Sequence, residues 1–358
     1  MCGIVGIFNP LLSHSKLIKK ISDSLQISNH RGPDDRGIYS NKECNFVFGM
    51  NRLSIIDIKN GAQPFFSEDK RYCLIFNGEI VNSENLKKKL VNKGIKFKTK
   101  NSDTEVLLKM LSTFGEDCLP ELNGMFAFCF FDIKKKKLLL ARDRFGIKPL
   151  YFFFKKNNFS FSSELKTLIG IYEDQLNINK ESLSDYFSLM FVPSPNTIFE
   201  NIYKLCPGEK INFDLNSKKL IKNNWNSHNF KIDNNLDLIV TKDKIKDLTE
   251  NAITRWTQAD VKICNSLSGG VDSSVISSIL GDKKYGVTNF SLGFKDATDR
   301  RFDEIDIAKE LSNNWKQDHI VTRLNPSKIL DKLDQILESI HEPYGGGLPS
   351  WSIYEEIA

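Results

Sequence analysis

The pattern of apolar residues changes character near residue 216, and this change constrains the fold more than any other feature of the sequence. Before it, short β-branched or aromatic runs follow one another at Ile4 to Phe8, Asn45 to Gly49, Tyr72 to Phe76, Phe126 to Phe131, Lys137 to Ala141 and Tyr151 to Phe154. Three amphipathic stretches interrupt them, Lys16 to Ser28, Ser83 to Lys93 and Thr104 to Phe114, with helix starts marked at Ser83 and at Asp103-Thr104. Consecutive strands with segregated helices predict an α+β domain of mostly antiparallel sheets over 1–215. From Asn216 to Asn235 the composition turns to Asn, Lys and Ser, which reads as a surface linker anchored by Trp225 and Phe230. Beyond it the rhythm is strand Val261 to Leu267, helix Ser273 to Leu280, strand Val287 to Phe294, helix Asp303 to Trp315, strand Asp318 to Thr322 and helix Pro326 to Ile340. Such alternation predicts an α/β domain over 236–358, built on a parallel sheet.

A length of 358 residues suits two domains, and 40% hydrophobic with 27% charged residues suits two well-packed cores. The net charge of +5, from 50 basic and 45 acidic residues, is spread along the chain. The run Lys134 to Lys137 lies between strands and reads as a solvated turn, so no nucleic-acid partner is expected. Seven scattered cysteines with no CxxC spacing indicate neither a zinc site nor a redox pair, and suit reduced, mostly buried thiols. No signal region opens the chain, and the longest apolar-rich run, Met125 to Phe131, is too short to span a bilayer. The expected location is cytoplasmic, with no membrane partner.

Cys2 follows the initiator methionine. With Met1 removed, one residue would carry both a thiol and a free α-amine, a nucleophile with its own base. Taken alone, Cys2 could equally be a small residue near a chain end. The segments His30-Arg31-Gly32-Pro33-Asp34-Asp35, Asn51-Arg52-Leu53-Ser54-Ile55, Phe76-Asn77-Gly78-Glu79-Ile80 and Ser102-Asp103-Thr104-Glu105 each have an ordinary reading as a turn, strand edge or helix cap. Together and in this order, with the opening Met1-Cys2-Gly3-Ile4-Val5-Gly6-Ile7, they resemble the class II glutamine amidotransferases. Asn123 to Phe128, Ala141 to Tyr151 and Phe161 to Lys166 extend the resemblance, which covers residues 1 to about 215.

That resemblance implies an N-terminal-nucleophile hydrolase sandwich of αββα type. It implies that Cys2 attacks the glutamine carboxamide, and that Asn77 and the Gly78 N–H hold the oxyanion, a preorganised contact worth on the order of 3 kcal/mol per donor. Glutamine binding would fall to Arg52, Ile55, Asn77, Gly78, Glu79 and Asp103. Arg52 suits the α-carboxylate and Asp103 the α-ammonium, with Glu79 a weaker candidate for the ammonium. Arg31 is expected to shape the pocket rather than to do chemistry.

Ser268-Gly269-Gly270-Val271-Asp272-Ser273-Ser274 joins a strand to a helix. Its glycines permit close backbone approach, and the helix N-terminus offers N–H groups to an anion. It lacks the lysine of a Walker A loop and the GxGxxG of a dinucleotide fold. A plain polar β–α turn remains open on spacing alone. As written, the segment resembles the pyrophosphate loop of ATP-pyrophosphatases, a Rossmann-like adenine nucleotide alpha hydrolase fold. With Phe302-Asp303-Glu304 and Glu342-Pro343 it points to the glutamine-hydrolysing asparagine synthetases. The resemblance implies ATP contacts from Leu267, Ser268, Gly269, Gly270, Asp272, Ser273, Ser274 and Leu292, and Mg²⁺ reached by Asp272 through the pyrophosphate. Mg-ATP is then a substrate, and no tightly bound cofactor is expected. The other small-molecule partners would be glutamine and a carboxylate acceptor; a homodimer stays open.

Two departures stand out. The chain ends at Ala358 within an apparent helix, before the family's second glycine-rich acidic loop and later catalytic lysine, so a truncated synthetase half is expected. Tyr344-Gly345-Gly346-Gly347-Leu348-Pro349 follows Glu-Pro where many asparagine synthetases have an acidic residue, and resembles surface-polysaccharide amidotransferases. The acceptor is therefore aspartate or a sugar carboxylate. The competing functions are a stand-alone glutaminase and a non-catalytic scaffold; the intact set of pocket residues argues against the scaffold. β-Lactam-forming relatives do not need the nucleophile at position 2.

Overall fold

The computed structural model describes residues 1–226, 232, 237–294, 304–324, 326–345 and 348–357. The chain divides into two compact units, Met1–Phe230 with His341–Pro343, and Lys231–Ile340 with Tyr344–Ala358.

The strands of the first unit are β1 Gly3–Phe8, β2 Asp35–Asn41, β3 Phe46–Arg52, β4 Phe65–Phe66, β5 Tyr72–Ile80, β6 Gly124–Asp132, β7 Lys137–Arg142, β8 Tyr151–Lys155, β9 Asn158–Ser162, β10 Ile202–Lys204, β11 Glu209–Asp214 and β12 Leu220–Asn224. Its α-helices are α1 His14–Ile27, α2 Ser83–Val91, α3 Asp103–Phe114, α4 Leu165–Tyr172 and α5 Lys180–Leu189. Two six-stranded antiparallel sheets result, in the orders β10-β8-β9-β1-β3-β2 and β12-β11-β7-β6-β5-β4.

Strand periodicity explains the layers. On β6, Ala127, Cys129 and Phe131 enter one apolar cluster, while Phe126, Phe128 and Phe130 enter another. On β1, Ile4 and Phe8 enter the shared cluster, and Val5 and Ile7 enter a third. The shared cluster lies between the sheets. The other two lie under helices: α2 and α3 through Leu86, Leu90, Val106, Leu107 and Met110, and α1 and α4 through Leu17, Ile21, Leu25 and Leu168. The unit is the expected αββα sandwich. Central strands buried on both faces read as continuous apolar runs rather than alternating ones, hence their legibility. The inter-sheet core is rich in aromatic rings, with Phe159 and Phe213 stacked at 4.5 Å. Each fully buried phenylalanine contributes roughly 1.5–3 kcal/mol.

The sandwich extends past the boundary expected at 215. β12 pairs with β11 from Leu220 to Asn224, so this part of the expected linker is an edge strand of the second sheet. Trp225 anchors it as expected, stacking on Phe126 at 6.0 Å and donating its indole N–H to the Arg142 carbonyl at 3.1 Å. Phe230 lies outside the described residues. Lys and Asn side chains gave β12 its linker-like composition because its outer positions are exposed.

The second unit contains β13 Cys264–Ser266, β14 Thr288–Phe294 and β15 His319–Leu324, with α6 Leu238–Trp256, α7 Val271–Asp282, α8 Ile305–Asn314, α9 Pro326–Asp331, α10 Leu333–Ile340 and α11 Leu348–Ile357. The strands pair in parallel in the order β13-β14-β15, as expected of βαβ units. β13 is shorter than the expected 261–267, because only Cys264 to Ser266 have ladder partners. The helix expected over 326–340 is broken at Lys332, whose N–H bonds the Ile329 carbonyl three residues back, at 3.2 Å. Asp303, Gly346 and Gly347 lie outside the described residues.

Candidate active site

Cys2 stands at the open end of β1, a central strand of the first sheet. The strand is tied to β9 beyond its ladder: the Ile4 N–H donates to Ser163 Oγ at 3.1 Å, and the Ser163 N–H to the Ile4 carbonyl at 2.9 Å. The Cys2 carbonyl accepts from Arg31 Nε at 3.0 Å, and the Cys2 thiol lies 3.7 Å from the Leu53 carbonyl. Arg31 Nη1 in turn donates to Glu164 at 2.9 Å, and the His30 ring lies at 2.9 Å from the same oxygen. Burial alone would raise the Glu164 carboxyl, but the His30 hydrogen bond and the Arg31 charge override it and hold the carboxyl at about 2. Arg31 therefore fixes the main chain at Cys2, consistent with a shaping role.

One pocket brings together Cys2, Arg52, Ile55, Asn77, Gly78, Glu79 and Asp103, all the glutaminase residues singled out in the sequence. Asn77 and Gly78 sit near the end of β5, paired with Ala127 and Phe126 of β6. The Asn77 side chain is buried, and neither its oxygen nor its nitrogen has a hydrogen-bond partner. Leaving such an amide unpaired costs about 1–3 kcal/mol, which suits a group kept for a ligand. At Gly78 an added Cβ would lie 2.1 Å from the Met125 carbonyl oxygen, so only glycine fits between the strands.

Arg52 ends β3 and is buried. Its guanidinium donates to the carbonyls of Ile56, Asp57 and Ile58 at 3.1, 2.9 and 3.1 Å, gripping the loop that carries Ile55. A Cβ at Gly61 would meet Arg52 Nη2 at 2.2 Å, so this glycine leaves room for the guanidinium.

Asp103 is not the helix cap that its position allows: Ser102 caps α3, its hydroxyl accepting the Glu105 N–H at 3.3 Å. The Asp103 carboxylate instead accepts the Ile80 N–H at 3.0 Å. Burial raises its pKa to about 6, opposed by the Ile80 and Thr104 hydrogen bonds. Glu79 is raised to about 7, first by burial and then by Asp103, with Lys148 acting the other way. Two reluctant carboxylates in one pocket make a good site for an ammonium group.

Among the lining residues to which sequence reasoning gave no site role are Gln63, Met125 and Lys148. Gln63 accepts the Phe76 N–H at 2.7 Å and donates to Thr104 at 3.4 Å, bridging β5 to α3. Lys148 lies in the recognised segment 141–151. Asp143 organises that segment by accepting the N–H groups of Phe126, Phe145, Ile147 and Lys148 at 3.0–3.1 Å. No periodicity marks these residues; a lysine and a glutamine within apolar, glycine-rich segments are the available signal.

A glutamine amidotransferase domain model matches residues 1–226, and an asparagine synthase model matches residues 244–357. Asparagine synthetase [glutamine-hydrolyzing] 1 of Bacillus subtilis is 34% identical over 345 residues, covering 96% of this chain and 53% of that protein. Putative asparagine synthetase [glutamine-hydrolyzing] 2 of Methanocaldococcus jannaschii is 33% identical over 383 residues, covering 99% and 71% respectively. The chain belongs to the glutamine-hydrolysing asparagine synthetase family. It spans about half the length of the Bacillus relative.

In the second unit of this asparagine synthetase family member, Leu267 follows β13 directly and is buried, Ser268 to Gly270 form the turn, and Val271 to Ser274 are the first residues of α7, which starts two residues earlier than the expected Ser273. Gly269 has φ +92°, a left-handed conformation that favours glycine. The loop is braced by its own hydroxyls: Ser268 Oγ accepts the Gly270 N–H at 3.2 Å and lies 3.1 Å from Ser273 Oγ, and Ser274 Oγ donates to the Gly270 carbonyl at 2.7 Å. Gly270 leaves the α7 N-terminus without a side-chain cap, and Asp272 is exposed in its first turn. Leu292 lies within β14, as the expected strand over 287–294 implies, paired with Thr322 of β15. Among the described residues no group of three His, Cys, Asp or Glu could hold a metal, and no helix is long and apolar enough to cross a membrane.

Proposed function

We propose that the first unit hydrolyses glutamine to glutamate and ammonia, and that the second activates a carboxylate with ATP so that ammonia converts it to an amide. The observation that carries the first half is the buried, unpartnered Asn77 amide in one pocket with Cys2 and Gly78. The Cys2 thiolate adds to the carboxamide carbon. Asn77 Nδ2 and the Gly78 N–H take up the oxyanion, ammonia leaves, and water releases glutamate from the thioester. The base is the Cys2 α-amine once Met1 is removed: it takes the thiol proton, returns it to the leaving nitrogen, and then takes a proton from the water that cleaves the thioester and returns it to the thiolate. Arg52 binds the α-carboxylate, sharing its guanidinium with the loop carbonyls it already holds. Ile55 lines the aliphatic part of the substrate, and Asp103 with Glu79 binds the α-ammonium.

In the second half the uncapped α7 N-terminus and the Ser268 to Ser274 loop receive the pyrophosphate of ATP, Asp272 meets its Mg²⁺, and Leu267 and Leu292 flank the adenosine. Aspartate is the first acceptor, giving asparagine, AMP and pyrophosphate in a cytoplasmic enzyme. Tyr344-Gly345 after Glu342-Pro343 favours a second reading with a sugar carboxylate as acceptor. Glutamate release is measured with and without Cys2→Ala, and pyrophosphate release with Mg-ATP against aspartate and uronic acids. Glutaminase activity surviving in the alanine variant would overturn the first half. The acceptor that drives pyrophosphate release decides between aspartate and a sugar.

A further inference from the structure

Among the described residues β14 is the central strand of the parallel sheet, a place for apolar side chains, yet Asn289 and Ser291 on one of its faces are buried and polar. Asn289 ties the unit together. It accepts from Asn265 Nδ2 at 3.0 Å and donates to Ser312 Oγ and Gln317 Oε1 at 3.1 and 2.9 Å. Ser291 reaches elsewhere: its hydroxyl donates to the Leu267 carbonyl and lies 2.7 Å from His319 Nε2 of β15. A serine has one hydroxyl hydrogen and a carbonyl can only accept, so His319 Nε2 carries a hydrogen and donates it to Ser291 Oγ.

These bonds sit where the chain leaves the sheet. The β13–β14 ladder pairs Cys264 with Thr288, Asn265 with Asn289 and Ser266 with Phe290, and stops there. Leu267 still donates its N–H to the Phe290 carbonyl at 2.8 Å, but its own carbonyl turns to the Ser291 side chain. In a continuing parallel ladder that carbonyl would accept a main-chain N–H of the neighbouring strand. A side chain therefore takes over at the end of the ladder. Directly after it Ser268 begins the turn, Gly269 has φ +92°, and α7 starts at Val271. The strut from His319 through Ser291 to Leu267 links β15, β14 and the end of β13 at the root of that turn.

We propose that Ser291, held by His319, is a positioning residue for the nucleotide, acting through the Leu267 carbonyl to fix where the pyrophosphate turn stands relative to the adenosine site. The inference rests on the nucleotide reading of the second unit. On that reading Leu267 flanks the adenosine, and the residues directly after it receive the pyrophosphate. A buried carbonyl gripped by a hydroxyl that is itself gripped sets one direction of exit for the chain. Two subsites held in fixed relation bind a two-part ligand better than its separate pieces require, because their relative placement is settled beforehand.

The test is titration calorimetry on the full chain with Mg-ATP, Mg-pyrophosphate and AMP, alongside amide hydrogen exchange of the peptide spanning 267–274. Ser291→Ala is expected to weaken Mg-ATP binding about tenfold, while Mg-pyrophosphate and AMP each stay within about twofold of wild type. Exchange at the amides of 268–270 should quicken about tenfold or more. Ser291→Thr, which keeps the hydroxyl, and His319→Gln, which keeps an N–H near the place of Nε2, should hold the wild-type values. His319→Leu leaves Ser291 in place and gives the same reading should the alanine unfold the chain. An equal loss for all three ligands, the mark of a merely destabilised unit, would overturn the inference, as would no loss for Mg-ATP or exchange at the wild-type rate. A wild-type chain that binds none of the three fails the nucleotide reading instead, and exchange then decides whether the strut holds the turn.

Discussion

The Asp103 carboxylate accepts the Ile80 backbone N–H at 3.0 Å, tying the first turn of α3 to the strand end that carries Asn77, Gly78 and Glu79. The bond joins two parts of the pocket separated by more than twenty residues. Ser102, and not Asp103, caps the helix, which leaves the buried carboxylate for the pocket. Gln63 makes a parallel link from the Phe76 N–H to Thr104. The proposed oxyanion donors, Asn77 and Gly78, and the proposed ammonium site at Asp103 are therefore fixed relative to one another by the fold itself.

Cys2→Ala is expected to abolish glutamate release, and Cys2→Ser to reduce it at least about a hundredfold, with melting temperatures near wild type, because Cys2 is only partly buried at a strand end. A chain with an extra residue ahead of Cys2 should be equally inactive, its base being an amide. Glutamate assays with thermal melts check all three.

Arg52→Lys and Asn77→Ala should separate binding from chemistry. The lysine loses the fork and raises KM for glutamine by about tenfold or more, with kcat less affected. The alanine removes a donor that matters in the transition state and lowers kcat by about a hundredfold or more. Steady-state kinetics that give both variants the same profile would refute the assignment.

The two raised carboxyls give a pH signature with a definite sign. Asp103 at about 6 and Glu79 at about 7 bind protons more tightly in the folded chain than in the unfolded one. Their contribution to stability is therefore greatest below about pH 4 and is lost as pH rises through 6 to 7. Asp103→Asn should raise the melting temperature at pH 8 by several degrees, recovering up to about 3 kcal/mol. Glutamine's ammonium favours the ionised forms, so KM for glutamine should climb as pH falls from 8 to 5.5, and glutamine binding at pH 6.5 should release protons. Calorimetry in buffers of different ionisation enthalpy reads that release.

Gly78→Ala is expected to destabilise the first unit by roughly 2–4 kcal/mol and to abolish activity, since its Cβ would meet the Met125 carbonyl oxygen at 2.1 Å. Asp143→Ala should cost about 3–5 kcal/mol by leaving four N–H groups without their acceptor. Denaturant melts of both variants measure these losses. A wild-type midpoint for either would contradict the packing described.

For the second unit, Gly269→Ala places a side chain at φ +92° and 3.0 Å from the Glu304 carbonyl, and should weaken Mg-ATP binding at least about tenfold while leaving glutamine hydrolysis unchanged. Titration calorimetry with Mg-ATP checks the first expectation and a glutaminase assay the second.

The sequence by itself determined the two-unit organisation, the class of each fold and seven of the residues that line the pocket around Cys2. It could do so because strands buried on both faces leave unbroken apolar runs, and because short recognisable segments carry Cys2, Arg52, Asn77 and Asp103. Tertiary structure alone decided which groups those segments meet. β12 looked like linker because an exposed edge strand needs few apolar residues. Asp103 looked like a cap because its partner, the Ile80 N–H, is far away in the chain. Gln63, Asp143 and Lys148 act through contacts across the fold, and the burial that raises the Glu79 and Asp103 carboxyls and lowers the Lys148 ammonium exists only once both sheets have closed over the pocket.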